Sequence, residues 1–288
     1  MELGVVFPQT EIGTDATAIR DYAQAADDLG FQYMIAYDHV LGADPNRHQL
    51  NGGAYTYETQ FHEPFALFSY LAGLTSRIRF VTGVIILPQR QTALVAKQAA
   101  EVDVLSGGRL VLGVGTGWNQ VEYESLGQEF RSRGRRLEEQ VALLRALWAQ
   151  PLVAFEGRFH RVMHAGINPR PVRGAIPIWF GGWADVVMDR VGRMGDGWLL
   201  GGPAKRENLE HRRERIHAAA RAAGRDPSSI AIAAGVNARG YSAEQQLERA
   251  RLLESVGATH CSVNTMDAGF TSVAQHIEAI RAFRRAFD

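Results

Sequence analysis

Several features that would assign a chain to a particular class of protein are scarce or missing in this sequence. A single cysteine, Cys261, among 288 residues excludes an internal disulfide and a cysteine-rich metal site, and it suits a reducing compartment. Lysine plus arginine and aspartate plus glutamate are equal at 31 each, so no net field attracts nucleic acid or an anionic membrane. We therefore expect a small-molecule substrate, with no nucleic acid and no membrane among the partners.

Long apolar runs and the common catalytic motifs are also absent. No segment approaches eighteen uninterrupted apolar residues, and the first residues enter a short apolar stretch without a charged leader. The nine histidines are scattered without the spacing of a metal site, and the chain has no G-x-S-x-G motif or P-loop. These absences predict a cytoplasmic protein without a bound metal, for which a homodimer is kept as an option.

What the sequence does contain is a regular alternation of strand-like and helix-like segments. Such alternation predicts a parallel sheet, because each crossover between parallel strands needs a helix. About eight units in a chain of this length fit a closed barrel better than an open sheet. We therefore predict an α/β fold, a (β/α)8 TIM barrel, as a single domain over residues 1–288. The predicted strands are residues 3–7, 32–37, 78–87, 110–114, 176–180, 197–200, 230–236 and 259–263.

Two insertions interrupt the alternation, after strands 2 and 4. Residues 42–60 are polar and contain glycine, which is typical of a mobile lid over an active site, with Tyr55, Tyr57 and Phe61 facing the substrate. Residues 151–173 fall into short alternating pieces with a turn at 156–157, and they predict a hairpin.

Active-site residues are expected where the predicted strands end, since barrel enzymes place their chemistry at the C-terminal face. The fourth strand runs into GVGTGWN, with glycine at positions 113, 115 and 117. Missing Cβ atoms allow a flat ligand or another backbone to lie against the strand end, although a tight turn is an alternative. Glycine pairs also follow the fifth and sixth strands, at 181–182 and 201–202. The first pair precedes a helix, where backbone N–H groups can bind a phosphate or simply form a turn.

The order and spacing of several stretches resemble the luciferase-like flavin and deazaflavin oxidoreductases. These stretches cover nearly the whole chain: YDHV, TGVIILPQR, VAKQAAEVDVLSGGRLVLGVGTGWNQVEYESLG, VAFEGRFH, PIWFGG and GDGW. They are most similar to the branch that depends on coenzyme F-420, a 5-deazaflavin, and less similar to monooxygenases that use reduced FMN. The resemblance implies an oxidoreductase that transfers a hydride between coenzyme F-420 and a small organic substrate.

The resemblance also implies roles for residues at the second and third strand ends. In this family a bulge in the third strand holds a non-proline cis peptide against the flavin ring, and Thr82, Gly83 and Val84 match it, with the Gly83–Val84 bond as the candidate. Asp38 matches the acidic end of the second strand, and His39 the histidine near the reactive edge of the ring. We expect both to be catalytic and Asp38 also to contact the cofactor. A helix cap and a histidine hydrogen-bonded in the core are the alternatives.

The loop GTGW departs from one deazaflavin pattern, in which a glutamate follows GTG. Trp118 stands at that position and cannot donate a proton, so we expect it to wall the pocket and to favour an apolar or flat substrate. Glu122, His62 and Tyr57 are alternative acids, for which surface or packing roles are favoured. The further cofactor contacts predicted are Gly115, Thr116, Gly117, Trp118, Gly181 and Gly182.

Two other functions remain open from the sequence. One is a monooxygenase that uses reduced FMN, and the other is a barrel that binds flavin without turnover. A deazaflavin has carbon in place of one ring nitrogen of a flavin, so it transfers hydride much as a nicotinamide does. The residues quoted above do not distinguish these ring systems.

Overall fold

The computed structural model describes residues 1–48, 55–200 and 206–287. Its strands, in chain order, are β1 (Glu2–Val6), β2 (Tyr33–Ala36), β3 (Arg79–Thr82), β4 (Ile85–Ile86), β5 (Leu110–Gly115), β6 (Val153–Glu156), β7 (Arg161–Ala165), β8 (Ile178–Gly181), β9 (Gly197–Leu199), β10 (Ala231–Asn237) and β11 (His260–Asn264). Its helices are α1 (Ala16–Asp28), α2 (Pro64–Ala72), α3 (Thr92–Leu105), α4 (Gln120–Ser125), α5 (Arg133–Ala149), α6 (Asp185–Met194), α7 (Arg206–Ala222), α8 (Ala243–Ser255) and α9 (Val273–Ala286).

The main sheet closes on itself into a barrel. Its strands follow the order β3, β2, β1, β11, β10, β9, β8, β5 and β4, and β3 also pairs with β5. The ladders between these strands are parallel. Since β3 and β4 together occupy one position, the ring has eight, and the predicted (β/α)8 TIM barrel is confirmed.

Local sequence signals explain where several helices begin. The Asp15 side chain accepts a hydrogen bond from Thr17 N at 2.8 Å and caps α1. Glu63 caps α2 in the same way, and Pro64 occupies the first helical turn, where its missing N–H costs nothing. Ser242 and Gln245 form a reciprocal capping box at the start of α8. These caps satisfy N–H groups that have no partner within the helix.

Side chains alternate between the two faces of the barrel wall. One set fills the barrel interior, and it includes Tyr33, Ile35, Val81 and Trp179. The other set packs under the surrounding helices and forms the larger core, in which Cys261 is fully buried, as expected of a packing residue. The lower part of the barrel is therefore a filled core, which leaves the C-terminal strand ends as the place for a ligand.

The third strand contains one residue more than its neighbour. From Phe80 to Ile85 it takes five steps, while β5 takes four steps between their partners Leu110 and Val114. The peptide bond between Gly83 and Val84 is cis, which is where the resemblance places it. The predicted single strand of residues 78–87 is therefore divided into β3 and β4 by a bulge.

The insertion after the second strand is described on both sides of residues 49–54. Tyr57 N donates to Ala43 O at 3.3 Å, so the two arms of the insertion contact each other. Tyr55 is buried, whereas the side chain of Tyr57 is largely exposed and its hydroxyl donates to Glu58. Tyr57 thus differs from the prediction that it faces a substrate. The predicted lid falls partly outside the described residues.

The predicted hairpin is present as β6 and β7, an antiparallel pair. His160, after its turn, bridges the hairpin to two helices of the barrel. Its Nδ1 lies 2.8 Å from Glu139 Oε1, and its Nε2 lies 2.7 Å from Thr92 Oγ1. Glu139 also accepts hydrogen bonds from the N–H groups of Arg158 and Phe159. The hairpin of β6 and β7 is therefore fastened to α3 and α5.

We expect His160→Ala to lower the free energy of unfolding by about 1–3 kcal/mol, because Thr92 and Glu139 each lose a partly buried partner. Burial lowers the pKa of His160, against the effect of Glu139. A pKa below that of the unfolded chain means that the wild type loses stability as pH falls through the unfolded value of about 6.5. Urea unfolding should show a smaller loss in the variant over that range. Equal unfolding free energies for His160→Ala and for Arg161→Ala, an exposed position on the same hairpin, would contradict this assignment.

Candidate functional site

Four consecutive strand ends of the barrel bring the predicted site residues together. In the ring, β2 lies beside β3, the segment β3–β4 lies beside β5, and β5 lies beside β8. The residues that follow these strands are those that the sequence singles out: Asp38 and His39, Thr82 to Val84, Gly115 to Trp118, and Gly181 with Gly182. The glycines at 201–202, predicted to end the sixth strand, lie outside the described residues.

Val84 occupies the centre of this arc. A Cβ atom added at Gly115 would lie 2.6 Å from Val84 Cγ2, and one added at Gly181 would lie 2.7 Å from Val84 Cγ1. Both distances are too short for real atoms, so the two glycines are required by the position of Val84. The Val84 side chain itself is half-buried. The mouth of the barrel therefore has a small apolar platform made of Val84 and two strand ends that lack side chains.

Gly117 and Thr82 contribute to the same region in different ways. Gly117 has a φ of +61°, and a Cβ there would lie 2.7 Å from Ile86 Cγ2, so backbone conformation and space both favour glycine. Thr82 is fully buried, and its hydroxyl donates to Gly113 O at 2.7 Å. The hydroxyl of Thr82 therefore holds β3 to β5, and its predicted contact with the cofactor stays a prediction.

His39 lies in an aromatic cluster at the second strand end. Its ring stacks on Tyr55, with centroids 3.7 Å apart and planes inclined by 33°, and Phe61 meets it edge-on at 4.8 Å. Trp118 in turn meets Tyr55 edge-on at 5.4 Å, so Trp118 does form part of an aromatic wall. These contacts restrict rotation of the His39 ring.

The buried carboxylate of Glu122 lies next to His39. Its Oε1 accepts hydrogen bonds from the N–H groups of Val40, at 2.5 Å, and Leu41, at 3.1 Å. Its Oε2 accepts from Gln89 Nε2 at 3.1 Å and lies 3.8 Å from His39 Nδ1. Burial opposes ionisation, but His39 and these hydrogen bonds outweigh it and hold the pKa of Glu122 below its ordinary value.

Asp38 is held in a network of its own. Arg90 Nη2 donates to Asp38 Oδ1 at 2.8 Å, and Ile86 N donates to Oδ2 at 3.2 Å. Burial raises the pKa of Asp38, while Arg90 and the Ile86 N–H act in the opposite direction. Arg90 also donates to Glu63, the cap of α2. Both carboxylate oxygens are engaged and Asp38 is only 3% exposed, so Asp38 supports the strand ends. Its predicted catalytic and cofactor-binding roles stay predictions.

The short helix α4 connects these features. Asn119 is its N-cap, with Oδ1 accepting from Val121 N at 3.1 Å, and its Nδ2 donates to the hydroxyl of Tyr55 at 2.9 Å. Tyr123, on the same helix, donates to Thr116 O at 2.6 Å. One turn of helix thus fixes Tyr55, the GTG loop and, through Glu122, the start of the loop that carries His39.

Strand β8, which corresponds to the fifth predicted strand, ends in a tight turn before α6. Gly182 has a φ of +134°, and its carbonyl accepts from Trp198 Nε1 at 2.9 Å. The N-cap of α6, Ala184, has no side-chain cap, so the first N–H groups are not satisfied in that way. Asp185 in the first turn is paired with Arg215 at 2.8 Å. The turn is thus followed directly by a helix end without a side-chain cap and by an acidic side chain.

Several residues of the site were missed or undervalued in the sequence. Glu122 was expected mainly at the surface or in packing, and Arg90 and Asn119 were not considered. Asn119 followed three residues later by Glu122 is a helix N-terminus signal that could have located α4. His62, another candidate acid, instead lies 3.3 Å from Gly13 O and packs edge-on against Phe7.

Groups of metal ligands and membrane-spanning helices are both absent from residues 1–48, 55–200 and 206–287. In these ranges no three histidine, cysteine, aspartate or glutamate side chains are grouped as metal ligands would be. Over the same residues, no helix combines the length and the hydropathy needed to cross a bilayer.

Comparison with known proteins gives two kinds of relative. An F420-dependent glucose-6-phosphate dehydrogenase of Intrasporangium calvum is 34% identical over 188 residues, which cover 62% of this chain and 52% of that protein. An FMNH(2)-dependent dimethylsulfone monooxygenase of Pseudomonas fluorescens is 29% identical over 250 residues, covering 85% of this chain and 64% of that protein. The chain therefore spans about half to two thirds of the length of these two relatives.

A solved structure with the same fold and a family match complete the comparison. The solved structure of an F420-dependent secondary alcohol dehydrogenase in complex with an F420-acetone adduct superposes with a TM-score of 0.79 at 18% identity, covering 98% of each chain. Residues 1–285 match the family described as luciferase-like monooxygenase. The chain belongs to the luciferase-like monooxygenase family, whose members include F420-dependent dehydrogenases and FMNH2-dependent monooxygenases.

Proposed function

We propose that this luciferase-like oxidoreductase transfers a hydride between coenzyme F-420 and a small organic substrate at the C-terminal mouth of the barrel. The observation that carries the proposal is His39, whose ring is stacked on Tyr55 at 3.7 Å and backed by the buried carboxylate of Glu122. A histidine held in this way can accept or deliver a proton. Hydride transfer to or from an alcohol carbon requires a proton to move at the oxygen in the same reaction.

The strand ends fit a flat, largely apolar ring system. Val84 provides a half-buried apolar surface, and its methyl groups lie against Gly115 and Gly181, where side chains would leave no room for them. We assign the ring contact to Gly83, Val84, Gly115 and Gly117, the pocket wall to Trp118, and the phosphate-bearing tail to Thr116, Gly181 and Gly182. When bound, a deazaflavin supplies a carbon that accepts or donates hydride in two-electron steps.

The protein's own residues have separate roles in this reaction. His39 exchanges the proton with the substrate, and Glu122 keeps that ring oriented. Asp38, with both oxygens bonded to Arg90 and Ile86 N, holds the second and third strand ends at a fixed separation. Trp118, Tyr55 and Phe61 exclude water from the same side of the mouth.

The alternative is a monooxygenase that uses reduced FMN. It is supported by the relative from Pseudomonas fluorescens, which matches a larger share of this chain than the dehydrogenase does. A third hypothesis is a barrel that binds flavin without turnover. The position of His39 beside the carboxylate of Glu122 argues against it.

Fluorescence titration of the purified protein with coenzyme F-420 and with FMN tests the proposal. We expect saturable binding of coenzyme F-420, with FMN bound much more weakly, and hydride exchange with alcohols or carbonyl compounds. Stoichiometric FMN in the purified protein, together with no saturable binding of coenzyme F-420, would replace the proposal with the monooxygenase function.

A further inference from the structure

We infer that Glu122 is a positioning residue that selects the tautomer of His39 in which Nδ1 carries the proton. The inference deepens the proposed function, on which it rests for the role of His39. Glu122 lies 83 positions along the chain from His39 and is only 1% exposed. Nδ1 of His39 is itself buried and has no hydrogen-bond partner at normal distance within the described residues.

The hydrogen bonds that the two oxygens of Glu122 accept indicate which nitrogen of His39 carries the proton. An ionised carboxylate only accepts hydrogen bonds. Both backbone donors, Val40 N and Leu41 N, use Oε1, and Gln89 uses Oε2. His39 Nδ1 also lies beside this carboxylate, 3.8 Å from Oε2. A proton on Nδ1 turns this contact into an attraction, whereas a lone pair on Nδ1 would face a carboxylate oxygen. With the proton on Nδ1, the neutral ring keeps its lone pair on Nε2, where a proton from the substrate can be taken up.

The ring cannot readily avoid this choice by turning over. It is stacked on Tyr55 and flanked edge-on by Phe61, and Tyr55 is fixed in turn by Asn119. Glu122 also holds the two N–H groups that follow His39 in the chain. The carboxylate therefore fixes both the main chain and the side chain of the histidine, and both contacts originate from α4.

Glu122→Gln is the sharpest variant because the surroundings dictate how its amide is placed. The N–H groups of Val40 and Leu41 require an acceptor, so the amide oxygen takes the place of Oε1. The NH2 group then faces His39 and Gln89, and the Gln89 amide turns so that its oxygen accepts from this NH2 group. An NH2 group is a donor, and it favours the tautomer with a lone pair on Nδ1 and the proton on Nε2. The substitution removes the charge, nearly preserves the shape, and should reverse the tautomer.

Nitrogen-15 NMR of labelled protein measures the tautomer directly and needs no cofactor. For the neutral ring, we expect the wild type to carry the proton on Nδ1 and Glu122→Gln to carry it on Nε2. The other charged or titratable groups around His39 and Glu122 are Asp38, Arg90, Glu63 and Tyr55. Neither variant changes them. Glu124→Gln, an exposed position on the same helix, removes the same charge and should leave the His39 signals unchanged.

Kinetics supply a second readout. Glu122→Gln should lower single-turnover hydride transfer by about tenfold or more with little change in cofactor affinity. It should have no further effect in a His39→Ala background, because Glu122 acts through that ring. A wild-type proton on Nε2, the same tautomer in both proteins, or an undiminished loss in the His39→Ala background would overturn the inference. If neither cofactor supports turnover, the proposed function fails, while the NMR comparison still decides the tautomer.

Discussion

Replacing His39 with alanine is expected to lower the rate of hydride transfer by roughly a hundredfold or more while cofactor affinity changes much less. The ring is the titratable group at the aromatic wall, and the residue after GTG is Trp118, which cannot deliver a proton. The nearby carboxylates of Asp38 and Glu122 are buried and engaged in hydrogen bonds. Removal of the histidine therefore leaves the proton without a carrier.

Single-turnover transfer and coenzyme F-420 affinity, measured on the same His39→Ala protein, separate chemistry from binding. Thermal unfolding of the variant serves as the control for the loss of the stacking contact with Tyr55. A transfer rate close to that of the wild type, with intact binding, would remove His39 from the reaction. Parallel losses of affinity, stability and rate would indicate that the ring only supports the loop.

The second large effect is expected at the glycines of the platform. Gly115→Val and Gly181→Val should each weaken cofactor binding by at least about a hundredfold, as overpacking of this size costs roughly 1–3 kcal/mol and also displaces the binding surface. The added side chains meet Val84 at once, since even a Cβ would lie 2.6 Å or 2.7 Å from its methyl groups. Circular dichroism should stay close to that of the wild type, because the remaining barrel ladders are untouched.

The position of Val84 allows a stringent test of that explanation. Combining Gly181→Val with Val84→Ala removes the methyl group in conflict, so part of the lost affinity should return. Gly73→Val, at an exposed helix end where a Cβ has no neighbour closer than 3.9 Å, should bind cofactor normally. Unchanged affinity in both platform variants would show that the ligand does not lie against these strand ends.

Periodicity and end signals predicted most of the fold from sequence. The strand predicted over residues 110–114 begins where β5 begins and ends one residue before it, because its apolar run is bounded by glycines. The helix α4 was missed, since six residues are too few for a helical pattern to emerge. The signal of Asn119 with Glu122 was present, but its meaning depends on what Glu122 reaches.

The site could be predicted only where chemistry sits at strand ends. Adjacent strand ends follow from the barrel, so His39 and the glycines could be grouped in advance. The contacts of Asp38 with Arg90, 52 residues apart, and of Glu122 with Val40, 82 residues apart, depend on how loops fold over the mouth. Such contacts leave no trace in local composition, which is why neither the ion pair of Asp38 with Arg90 nor the burial of Glu122 beside His39 was predicted.

The extra residue in the third strand also constrains how the gene can change. Phe80 and Ile85 both pack under the outer helices although they are five positions apart, an odd spacing that an uninterrupted strand would place on opposite faces. Deleting one residue between Thr82 and Ile85 would restore the four-step spacing of β5 and leave Ile85 under the helices, but it would remove the bulge that places Val84 against Gly115 and Gly181. We therefore expect insertions and deletions to be rare in this segment even where single residues are substituted. Its length should then be a better guide for aligning distant relatives than its residue identities.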